Sequence, residues 1–177
     1  MFDNFKEEIV TSRHTAFSSV LYVLAWIMMA FFAVIAVWSL QMVFLMFSFA
    51  TVLVFLASGG AAVVLFIFKD YLKIEYEYAF TNGVLDFARV FRNARRKELG
   101  SMNVQNVTAC GHVAHDSFQR FLSMKGVDKK NWFLNRDGNL FYFYYVKNEE
   151  KHMIIIEPTE ELVGMIRNYL PVGVYQG

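Results

Sequence analysis

The residues best suited to chemistry form two clusters. The first is a basic run, Arg89, Arg92, Arg95, Arg96 and Lys97, with Lys69 and Lys73 upstream of it. No acid interrupts the run. Beside an anionic leaflet, each such cation contributes about 1 kcal/mol of attraction within a Debye length of about 8–10 Å. The expected ligands are therefore anionic lipid headgroups or an acidic protein partner. Nucleic acid is not expected, because residues 69–177 carry 15 basic side chains against 13 acidic ones. The second cluster, Cys110, His112, His115 and Asp116, brings four potential metal ligands together. A zinc site usually takes two separated ligand pairs, and here only the distant His152 could supplement the cluster. A buried cysteine with two loop histidines is the simpler reading, and no cofactor is implied. No GxSxG, Walker A, GxGxxG or HExxH pattern occurs, and no nucleophile, base and orienting group fall into predictable geometry, so the chain does not read as an enzyme.

These clusters are carried by a chain of two very different compositions. From Thr15 to Phe68, 54 consecutive residues include no Asp, Glu, Lys, Arg or His, although the whole chain has 17 basic and 16 acidic side chains. One helix crossing about 30 Å of hydrocarbon needs roughly 20 residues, so the block suits two spans. The only amide of the block, Gln41, follows Trp38-Ser39-Leu40 and suggests a turn there, with spans near 17–38 and 43–68. Ala57, Ser58, Gly59, Gly60, Ala61 and Ala62 offer small residues for close helix packing, facing Ala30, Ala33 and Ala36 or forming a homodimer seam. Neither span holds an ionisable group, so they read as an anchor rather than a transport path. Lys6 and Arg13 before the block, and Lys69 and Lys73 after it, place both termini in the cytoplasm by the positive-inside rule. Residues 1–15 are expected to be cytoplasmic. With Phe2, Phe5 and Ile9 at helical spacing, they suggest a short interfacial helix, the alternative being a solvated leader.

Residues 69–177 suffice for one domain. Ile74, Tyr76, Tyr78 and Phe80 alternate with polar residues, Asn82-Gly83 favours positive φ, and Val84–Phe91 is again apolar, which predicts a β-hairpin. Further strands are expected over Asn103–Cys110, Trp132–Leu134, Leu140–Val146 and His152–Glu157. Residues 135–139 and 147–151 would be hairpin loops between the last three. A short helix over Asp116–Met124 is expected to be capped by Asp116, and an amphipathic helix begins near Pro158. The aromatic run Leu140–Val146 is expected to be a central strand covered on both faces.

The fold class is thus α+β: a two-helix transmembrane hairpin, then an antiparallel barrel or sandwich closed by a C-terminal helix. The run Tyr76-Glu77-Tyr78-Ala79-Phe80-Thr81-Asn82-Gly83-Val84-Leu85-Asp86, followed by Arg92-Asn93-Ala94-Arg95-Arg96-Lys97, resembles bacterial two-span membrane proteins with a YEYxxTNGxLD…RKRK signature and a cytoplasmic PH-like domain. More distantly, it is similar to bacterial PH domains tethered behind paired transmembrane helices. The resemblance implies a PH-like fold at the bacterial cytoplasmic membrane and brings no activity. A non-enzymatic scaffold or adaptor that binds a protein partner, anionic headgroups or both is the leading expectation. An accessory subunit of a larger membrane complex is the alternative, and thiol or metal chemistry at Cys110, His112 and His115 is a distant third.

Overall fold

The computed structural model describes residues 4–13, 15–91 and 95–176. The chain forms two compact units. One comprises residues 14–74 and the other joins residues 1–13 to residues 75–177.

In the first unit, α1 (Thr15–Leu45) and α2 (Phe49–Phe68) form an antiparallel pair, and a 3-10 turn (Lys69–Leu72) follows. Both helices are long and apolar enough to cross a membrane. The turn lies at Met46–Ser48, not at Trp38–Gln41, which is continuous helix. Nothing near Gln41 breaks a helix, and one amide is a weak signal beside uninterrupted helix formers. Among the less exposed positions, one row on α1 is formed by Ser18, Tyr22, Ala25, Met29, Phe32, Ala36, Ser39 and Val43, and one on α2 by Thr51, Phe55, Ser58, Ala62 and Leu65. Their spacing alternates between four and three, the seam of a left-handed helix pair. Ser58 and Ala62 therefore face α1, whereas Ala57 and Gly60 lie exposed, as do Ala30 and Ala33; of the three alanines expected at the seam only Ala36 is there. A Cβ placed on Gly59 or Gly60 would meet nothing within 4 Å, so neither glycine is required by close packing.

The second unit contains two four-stranded sheets. The first has the order β1-β2-β3-β4, from β1 (Phe5–Val10), β2 (Ile74–Thr81), β3 (Val84–Phe91) and β4 (Arg95–Asn103). Residues 5–10 are thus a strand rather than an interfacial helix, antiparallel to β2 with Phe5 opposite Thr81 and Val10 opposite Tyr76. The β2–β3 turn has φ of 49° at Asn82 and 91° at Gly83, as a type I′ turn requires. The second sheet has the order β5-β7-β8-β6, from β5 (Ala109–His112), β6 (Val127–Trp132), β7 (Phe141–Lys147) and β8 (Glu150–Ile156). The expected strand over Asn103–Cys110 is divided by a 3-10 turn at Val104–Asn106. Strand β6 begins earlier than expected and runs parallel to β8, so residues 135–139 form a crossover rather than a hairpin loop. Residues 148 and 149 do close the β7–β8 hairpin, both with positive φ.

Tyr78, Phe80, Leu85 and Phe87 of the first sheet, and Phe141, Phe143, Ile154 and Ile156 of the second, are buried. The Phe87 ring meets Trp132 at 4.7 Å, and the Tyr78 hydroxyl donates to the Trp132 carbonyl. On the outer face of the second sheet, Phe118 and Phe121 of α3 (Asp116–Leu122) cover Tyr142 and Tyr144. The cap of α3 is His115, whose ring accepts from the Ser117 amide, so Asp116 sits within the first turn. Leu162, Val163 and Ile166 of α4 (Glu160–Arg167) are also buried, and Tyr169 beyond it stands edge-on to Phe80.

Two polar clusters hold β1 in place. Glu8, 8% exposed, accepts from the Thr159 amide (3.0 Å) and hydroxyl, while the Thr159 Oγ1 caps α4 by accepting from Leu162 N. A carboxylate beside a helix N-terminus is favoured by the macrodipole as well. After β1, buried Asn135 accepts from Arg13 N (2.7 Å) and donates to Thr11 O (3.0 Å) and Glu157. Replacing Asn135 with Ala should cost about 1–3 kcal/mol, because it strands hydrogen-bonding groups in this cluster. Thermal unfolding of the detergent-solubilised chain measures the loss, and tryptic cleavage after Arg13 should accelerate with it.

Candidate membrane-facing basic hairpin

The basic run occupies the end of β3 and the start of β4, where register assigns each residue to a face. Arg89 lies directly opposite Lys97, and Phe91 opposite Arg95. Side chains two apart on a strand share a face, so Arg89, Phe91, Arg95 and Lys97 stand together. Arg96, opposite Val90, points the other way and forms an ion pair with Glu77 of β2. Glu77 is only 9% exposed, so this ion pair is partly shielded from solvent. The run is therefore two sets of cations rather than one patch. Arg92 lies outside the described residues.

Arg89 is the most constrained member of the first set. It is partly buried, donates to the Tyr76 hydroxyl at 2.8 Å and sits 5.2 Å above the Tyr76 ring. Its Nε is buried with no hydrogen-bond partner among the described residues. The guanidinium of Arg95 lies 5.0 Å over Phe91, and Lys97 is exposed. Like charges directly across a strand pair repel unless an anion lies between them. The nearby carboxylate Glu77 is engaged by Arg96 on the opposite face, and Asp86 accepts from Ser101.

The position of this set follows from connectivity. Strand β1 leaves the sheet at Val10, opposite Tyr76, and β2 enters at Ile74, shortly after the 3-10 turn that ends α2. Because β3 runs back along β2 from the Asn82-Gly83 turn, its Phe91 end lies at the edge of the sheet where both connections to the helices depart. At the other end, Ser101, Met102, Asn103, Asn106, Tyr145, Val146 and Lys147 line a polar cleft of about 390 Å³.

The family model for the bacterial PH-like domain (DUF6106) matches residues 2–176. The chain belongs to this family. No curated protein and no solved structure matches it. The match includes β1, whose place in the PH-like sheet was hidden because its inward residues, Lys6 and Glu8, are charged and its outward ones, Phe5 and Ile9, are apolar.

The remaining sequence candidates are held by their own units. Lys69 turns back onto the helices, donating to Phe66 O at 3.0 Å, lying 4.0 Å over the Phe66 ring and pairing with Asp70. Lys73 lies 4.8 Å over Tyr22. Within the PH-like domain, His112 pairs with Asn139 at 2.9 Å and His115 is spent on the α3 cap. Cys110 is buried, and the C-terminal tail docks on its strand: Cys110 N donates to Val174 O, and Gln176 N donates to Cys110 O. No group of three His, Cys, Asp or Glu side chains converges among the described residues.

Burial pushes the Cys110 thiol up to about 12 from its ordinary value of 9.0, with Arg167 offsetting part of the effect. The native thiol should therefore be inert to alkylation near neutral pH and react at the rate of domain opening, which intact mass after timed labelling measures. The linkage sign is fixed by that direction: the unfolded chain loses its thiol proton first. The Cys110 contribution is thus intact below the unfolded pKa and declines as pH rises from about 9 towards about 12. Melts of the wild type and of Cys110→Ala across that range should converge at high pH.

Proposed function

We propose that the protein is a non-enzymatic scaffold of the bacterial cytoplasmic membrane, anchored by its two helices and facing anionic lipid headgroups with Arg89, Arg95 and Lys97. The observation that carries this reading is the cross-strand pair Arg89–Lys97 at the end of the sheet from which both helix connections leave, with the Arg89 Nε unpartnered among the described residues. A headgroup phosphate supplies acceptors for these N–H donors, and charge-assisted bonds of this kind are the strong ones. Arg92 follows Phe91 directly in sequence and adds a further cation to the run. Anchoring is supplied by the helices, so the hairpin orients the domain or selects headgroups.

The pairing of β1 with β2 supports a same-side topology. The two strands flank the helical unit in sequence and hydrogen-bond to each other, so the intervening chain has to begin and end on one side of the bilayer. Two crossings meet that condition. The flanking Lys6, Arg13, Lys69 and Lys73 favour the cytoplasmic side.

The test uses the full chain in mild detergent, titrated with phosphatidylglycerol or phosphatidylcholine at low and high salt. Bound lipid is counted by native mass spectrometry. The wild type should retain the anionic lipid preferentially and lose that preference at high salt. Changing Arg89, Arg95 and Lys97 together to Ala should weaken retention on the order of 100-fold. Arg96→Ala, on the opposite face, should leave the preference unchanged. Equal retention by the triple variant would remove headgroup binding from this surface and favour a protein partner.

A further inference from the structure

Most polar side chains in the middle of the helical unit are satisfied by their own helix. Ser39 donates to Ala36 O at 3.0 Å, Thr51 to Ser48 O at 2.7 Å and Ser58 to Val54 O at 2.7 Å. Gln41 is different. It lies on the exposed face of α1, and its carboxamide has no hydrogen-bond partner among the described residues. With Ala33, Val34, Val37 and Trp38 it lines a shallow apolar groove of about 470 Å³.

Depth makes this amide unusual. The pairs Tyr22–Lys73 and Trp26–Lys69 join aromatic rings to cations, the pairing expected at a headgroup boundary. Counting from Trp26 and from Tyr22, Gln41 is 15 and 19 residues further along α1, or about 22–28 Å, within a hydrocarbon layer of about 30 Å. Side chains on a helix lean towards its N-terminus. Since α1 runs away from the Trp26 boundary, the amide leans back over Val37, towards the bilayer centre and not the far surface. An amide there needs a partner, because hydrocarbon offers none.

A carboxamide carries both donors and acceptor, so it complements itself across a two-fold axis. Ala30, Val34, Val37 and Gln41 recur at the same four-three-four spacing as the α1–α2 seam, and Ala30 and Ala33 leave room for a second helix. We propose that a second copy docks α1 against α1 along this groove, with Gln41 hydrogen-bonded to Gln41 across the two-fold axis. The proposal rests on the helices lying in a bilayer and does not depend on headgroup binding by the basic hairpin.

The experiment uses the full chain in native membranes, with Cys110 changed to Ala and one cysteine introduced. Val37→Cys should give a disulfide-linked homodimer on mild oxidation, and Met28→Cys, on another exposed face, should not. In a parallel measurement of mass in mild detergent, Gln41→Leu should weaken the dimer about three- to thirtyfold, while Gln41→Asn retains it. A monomer by both readouts, a dimer indifferent to Gln41→Leu, or crosslinking of Val37→Cys only to another protein would overturn the proposal. Alkaline extraction of the same membranes separates the two failures: a chain that washes out was never in the bilayer, whereas a retained monomer rejects only the dimer.

Discussion

Everything in the PH-like domain depends on one pairing of distant segments. Strand β1 precedes the helices, β2 follows them, and the hydrogen bonds between them close a domain whose sequence is interrupted by the helical hairpin. Strand pairing is strengthened at both ends by polar clusters that only the folded domain can assemble. Glu8 reaches the cap of α4, and the segment from Thr11 to Arg13 is held by Asn135. A domain cut from the chain at residue 69 would lack its edge strand and the carboxylate that braces α4. In such a fragment β2 would become an open edge, which invites misassociation.

The same closure governs where charge is displayed. Register at the β3–β4 end sorts an apparently continuous basic run into Arg96, paired with Glu77, and a set of Arg89, Arg95 and Lys97 on the opposite face. Arg89 lies over the Tyr76 ring and Arg95 over the Phe91 ring. In the helical unit the cations behave differently. Lys69 and Lys73 fold against Phe66, Trp26 and Tyr22 within their own unit.

Much of this was legible in the residues because the signals were local. The alternation of Tyr76, Tyr78 and Phe80, the Asn82-Gly83 turn and the apolar stripe of α4 each report their own structure. The features that escaped are those where the local signal points the wrong way. Strand β1 turns Lys6 and Glu8 inwards and leaves Phe5 and Ile9 exposed, so its pattern fits a surface helix equally well. Strand β6 is nearly all polar, with Trp132 its only buried residue, because it occupies an edge. The turn at Met46–Ser48 has no glycine, proline or charge to announce it. Splitting the basic run needed the register, which no spacing of arginines discloses.

The position of the helical unit between β1 and β2 also imposes an order in time. Val10 is made 66 residues before its partner Tyr76, and at synthesis rates of about 5–20 residues per second that interval is about 3–13 s. Until it ends, β1 is a strand whose partner has not yet been made. The domain cannot close before both apolar helices have been made, so its folding registers their completion.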